Sequence, residues 1–127
     1  MQKGLEAEVT KYRVIHVVDP KDPSGGRVTL SVQPFLDSLN KNPSVKSDLL
    51  EIVDYWLQKA RQRAGFFRTV VNLREQLPVI GEAFVYRKDG EELSPDDSAR
   101  EERRQLQMWE RSVTKLNRLG NYVRNYN

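Results

Sequence analysis

The chain has 127 residues, 38% of them apolar and 31% charged, with a net charge of +3 and no cysteine. That length suits one domain able to bury a core without covalent staples. The composition excludes disulfides, thiol catalysis and thiolate metal sites, and no apolar run approaches the roughly 20 residues of a transmembrane helix.

Met1-Gln2-Lys3-Gly4 leads into no apolar run of signal-peptide type, which points to a cytoplasmic, intracellular setting. Residues 1–8 lack periodicity and are expected to be flexible. Residues 9–32 read as a β-hairpin. Its first strand runs from Val9 to Val18, rich in β-branched and aromatic types, and its loop from Asp19 to Gly26, dense in turn formers. The second strand, Arg27 to Val32, alternates, with Val28, Leu30 and Val32 on a buried side and Arg27, Thr29 and Ser31 on the other. Pro34 to Leu39 reads as a single helical turn.

A long helix is expected over 42–77. Asn42-Pro43 provides its cap and first position, and Pro78 its stop. Leu49, Val53, Trp56, Ala60, Phe67, Val70 and Leu77 keep a three–four beat, on which Arg63 and Arg74 also fall. The beat holds phase across Gly65, so the helix is expected to continue through it. Residues 82–88 read as a third strand, closed by Asp89-Gly90 and joined to the hairpin, because a lone strand is unstable. Ser94-Pro95-Asp96-Asp97 is a helix start, with a Ser cap, Pro at the first position and two acids at the positive end of the dipole. The last helix spans 95–124, with Ala99, Leu106, Trp109, Val113, Leu116, Gly120 and Val123 on its seam and Glu102 in the remaining slot.

These elements define an α+β fold, a small antiparallel two- or three-stranded sheet packed beside two long antiparallel helices. If the chain folds back after Pro78, Trp56 faces Gly120, Ala60 faces Leu116, Phe67 lies near Trp109 and Val70 near Leu106. Arg74 then falls beside Glu101 and Glu102, whereas Arg63 has only Glu110 within reach. The competing arrangement turns a seam toward a second chain and makes a homodimer.

Little in the sequence supports catalysis. The one histidine, His16, sits between Ile15 and Val17 in a strand with no companion motif, and no Gly-x-Ser-x-Gly elbow exists. Carboxylates such as Asp48, Glu51 and Asp54 lack the converging third ligand type that a metal site needs. The glycines of Asp22 to Arg27 run into a strand rather than a helix, which fits a hairpin loop and not a phosphate loop. No enzymatic activity, metal or cofactor is expected.

The charge distribution carries the functional expectation. Lys59, Arg61, Arg63, Arg68 and Arg74 occupy one acid-free run, and Arg111, Lys115, Arg118 and Arg124 another, while acids gather between Glu82 and Glu102. Such segregation fits a small binding or assembly protein that docks on a protein partner through a basic helical surface. Its expected contacts are Lys59, Arg61, Arg63, Arg68, Arg111, Lys115, Arg118 and Arg124, with Tyr122 and Tyr126 at the end. Nucleic acid is the alternative partner for the same residues, with phosphates on the cations and bases on the tyrosines.

Overall fold

The computed structural model describes residues 2–77 and 86–126. In chain order the elements are α1 (Gln2–Thr10), β1 (Val14–Val18), β2 (Arg27–Ser31), α2 (Val32–Lys41), a 3-10 turn (Pro43–Val45), α3 (Lys46–Gln76), β3 (Arg87–Lys88), β4 (Glu91–Glu92) and α4 (Pro95–Arg124). The fold is α+β, with α3 and α4 forming an antiparallel helical hairpin.

Each long helix starts where local chemistry satisfies its free amides. Asn42 accepts a hydrogen bond from the Ser44 amide and so caps the 3-10 turn, which feeds directly into α3. The long helix therefore begins at Lys46 rather than at Asn42. Ser94 Oγ accepts from the Asp97 amide at 3.1 Å, with Pro95 at the first helical position and Asp96 and Asp97 in the first turn. α3 runs unbroken through Gly65, where an added Cβ would meet nothing within 4 Å. Gly65→Ala should therefore stabilise the protein by about 1 kcal/mol, read as a higher urea midpoint at unchanged slope.

Polar pairs across the two helices fix their register. From one end of the hairpin to the other, Arg124 reaches Asp54 at 3.0 Å, Arg61 reaches Asn117 at 3.3 Å and Arg68 reaches Glu110 at 3.8 Å. Arg103 bonds Glu75 at 3.3 Å, and Arg74 forks onto both oxygens of Glu102 at 2.6 and 2.8 Å. The fold-back is the expected one and brings Arg74 to Glu102, but the expected pairing of Trp56 with Gly120 is not formed. Inside the hairpin, Val53, Leu57, Ala60 and Ala64 of α3 share a core with Trp109, Leu116, Leu119 and Val123 of α4. At Gly120 the partner is Val53, whose Cγ1 lies 3.4 Å from where a Cβ would stand. Trp56 packs at the edge of that core.

The N-terminal segment differs from the expectation. Residues 2–10 are helical, and Val9 is fully buried as part of α1 rather than of a strand. The hairpin is shorter than 9–32 and runs Val14–Val18 against Arg27–Ser31, antiparallel, with His16 opposite Thr29. Ile15, Val17 and Val18 enter the core, whereas β2 stays mostly exposed, Val28 included. Val32 opens α2, a ten-residue helix that buries Val32, Phe35, Leu36 and Leu39 where a single turn was expected.

The expected third strand lies largely outside the described residues. Its last two positions, Arg87–Lys88, pair with Glu91–Glu92 in a ladder separate from the hairpin. Asp89 and Gly90 close that ladder with φ of 54° and 83°, a turn that glycine and aspartate tolerate. No helix among the described residues is long and apolar enough to cross a membrane.

Candidate functional site, a cationic cleft

The core arrangement decides which basic residues remain available. Arg68, Arg118 and Arg124 each pair with a carboxylate, Glu110, Glu8 and Asp54 in turn. Arg61 bonds Asn117, and the Lys59 ammonium lies 5.6 Å from the Tyr55 ring centroid. Arg63 finds partners that side-chain spacing did not indicate. Its Nη2 donates to the Gly25 carbonyl at 2.6 Å and its guanidinium lies 5.4 Å from the Trp109 ring centroid. Glu110, the partner expected for it, serves Arg68. Gly25 has φ of 78°, and a Cβ there would collide with Arg63 Nη2, so this loop position favours glycine.

The tyrosines are structural. Tyr122 is buried beside Tyr126, with ring centroids 6.0 Å apart, so its ring is not available to stack on a base. Tyr126 donates its hydroxyl to Asn40 Oδ1 at 2.7 Å, and its carbonyl accepts from Lys46 Nζ at 2.9 Å. The end of α4 is thereby tied to α2 and to the start of α3.

Two of the expected contacts, Arg111 and Lys115, converge elsewhere. They line a cleft of about 330 Å³ between the hairpin and α4, together with Arg104, Arg27 and His16. Gln107, Met108 and Ser112 complete its wall, and no acidic residue lines it among the described residues. Arg104 is bidentate on Glu101, at 2.6 and 3.0 Å. Arg27 Nη1 meets the Met108 sulfur at 2.6 Å, and a thioether is only a weak acceptor. Lys115 Nζ makes a long contact of 3.4 Å to the Val14 carbonyl and lies 5.4 Å from the Tyr12 ring centroid. Arg111 makes no hydrogen bond or ion pair among the described residues. Arg27, Arg111 and Lys115 thus share one concavity with no carboxylate bound to any of them there. Clefts lined by one sign of charge focus the field and attract counter-ions.

His16 registers that field. Its pKa is pushed below the ordinary 6.5, first by burial and then by Arg27 and Lys115, and its Nδ1 is shielded from solvent without a hydrogen-bond partner. The unfolded chain therefore takes up this proton more readily than the folded one. The contribution of neutral His16 to stability is complete above pH 6.5 and is lost as the pH falls through the lower folded value. His16→Gln should flatten the pH dependence of the urea midpoint below 6.5 and leave it unchanged above.

Spacing within the helices could not reveal Arg27, Arg104 and His16 as neighbours. One signal was present. With the strands in register, His16 faces Thr29, which puts Arg27 on the same face of the hairpin. No protein family, curated protein or solved structure matches this chain.

Proposed function

We propose that the chain is a non-enzymatic binding or assembly protein of the cytoplasm, which docks on a protein partner through acidic groups seated in the cationic cleft. The observation that carries this reading is the convergence of Arg27, Arg111 and Lys115 without carboxylates in the cleft wall. Elsewhere on α3 and α4 the arginines are spent on the fold itself, through Glu8, Asp54, Glu102 and Glu110. A continuous phosphate track of the kind nucleic acid uses would need those cations unpaired. A localised acidic contact does not.

Capture from the native cell, run with and without nuclease, tests the reading when wild type is compared with Arg111→Glu/Lys115→Glu. One stoichiometric protein should be retained by wild type under both conditions and lost by the charge-reversed variant. Nuclease-sensitive recovery would assign the cleft to nucleic acid instead. Undiminished recovery by the variant would remove the cleft from the interaction.

A further inference from the structure

We infer that the group seated in the cleft is a phosphate monoester, as on a phosphorylated side chain of the partner, an inference that rests on the docking function proposed above. The donors decide between anions. A carboxylate carries one charge on two oxygens, enough for a single guanidinium fork. Here Arg27 has only a thioether as hydrogen-bond partner, Arg111 has no side-chain partner among the described residues, and Lys115 has a long contact to a carbonyl and the Tyr12 ring beside it, but no carboxylate. Arg104 of the same wall is already forked on Glu101, which leaves Arg27, Arg111 and Lys115 as the donors for a ligand. A monoester brings close to two negative charges and three strong acceptor oxygens, which matches this surplus of donors. A phosphodiester brings one charge per unit and arrives as a repeating chain, while Arg68, Arg118 and Arg124 beyond the cleft are already held by carboxylates. Planar guanidinium forks also suit a phosphate better than ammonium groups alone. The His16 ring lines the same wall.

The probe is phenyl phosphate, titrated into isotope-labelled protein at constant ionic strength, with dimethyl phosphate and glutarate as the diester and carboxylate comparisons. The backbone and side-chain resonances of Arg111, Lys115 and His16 should shift saturably with phenyl phosphate. Affinity should fall about tenfold or more in Arg111→Gln/Lys115→Gln, as expected for losing charged hydrogen bonds. Arg111 is exposed and Lys115 half-buried, both substitutions keep good helix formers, and an unchanged far-UV spectrum confirms the fold. Shifts that merely follow ionic strength, or glutarate or dimethyl phosphate binding as tightly as phenyl phosphate, would overturn the monoester. The docking function is judged separately by the charge-reversal capture. If phenyl phosphate fails while capture still needs Arg111 and Lys115, the inference falls and the docking function stands. If phenyl phosphate binds while capture ignores those residues, docking falls and the monoester site remains.

Discussion

Arg74→Met should cost about 3–5 kcal/mol of folding stability, because it leaves Glu102 buried and without its guanidinium. The side chain of Glu102 is 0% exposed and that of Arg74 10%, with two hydrogen bonds of 2.6 and 2.8 Å between them. In return the guanidinium is held above its ordinary pKa, first by the hydrogen bonding it donates to Glu102. A carboxylate stranded in that position must take up a proton or open a path to water. Glu102→Leu should also destabilise the fold, since it removes the acceptor of both hydrogen bonds that Arg74 donates to the carboxylate. The double replacement, Arg74→Met/Glu102→Leu, should recover most of the loss, because a well-packed apolar pair avoids the desolvation that the ion pair must offset. Urea unfolding of the four proteins gives the coupling directly. Additive single losses would show that the two side chains do not act as a pair.

Trp109→Ala should be comparably damaging, at about 3–5 kcal/mol, the range for removing a large buried aromatic. Trp109 is 2% exposed and stands in the α3–α4 core. Its indole N–H has no hydrogen-bond partner among the described residues, and the ring is held by packing. A total stability of about 6–19 kcal/mol is ordinary for a chain of this length, so such a loss is a large share. The effect should also spread. Arg63 lies over this ring while bonding the Gly25 carbonyl, so removing the indole loosens the clamp between α3 and the hairpin loop. Hydrogen exchange at the Gly25 amide, which bonds the Asp22 carbonyl at 3.0 Å, should accelerate more than exchange within the far end of α4. Equal acceleration everywhere would show that Arg63 does not transmit the change.

The helical hairpin was readable because its information is local and periodic. Val53, Ala60, Leu116 and Val123 repeat at helical spacing, and the break near Pro78 implies a return. Even the buried ion pair followed, since Arg74 stands on one seam and Glu102 on the other, where the fold-back sets them side by side. The Arg63 partner was not readable, because a backbone carbonyl in a loop leaves no mark in side-chain spacing. α1 escaped for another reason. Val9 is β-branched and adjoins the true strand, so its type argued for β structure, while its burial against α4 is a tertiary effect that overrides propensity. Arg27 and Arg111 become neighbours only when the hairpin lies on α4, which is why the cleft emerged with the fold and not from the charge runs. Tyr122 and Tyr126 looked available at the chain's end, yet they close the core against α2 and α3.

The central claim is that α3 and α4 close on each other within a single molecule and thereby set the cationic cleft against the hairpin. An isotope-filtered NOE experiment on a mixture of labelled and unlabelled protein tests it at Val53 and Gly120, where a Cβ on Gly120 would lie 3.4 Å from Val53 Cγ1. The account predicts a strong cross-peak between the Val53 methyl and Gly120 α protons in uniformly labelled protein, and none between labelled and unlabelled chains. A cross-peak that appears only between chains would place the seam in a dimer interface and contradict it.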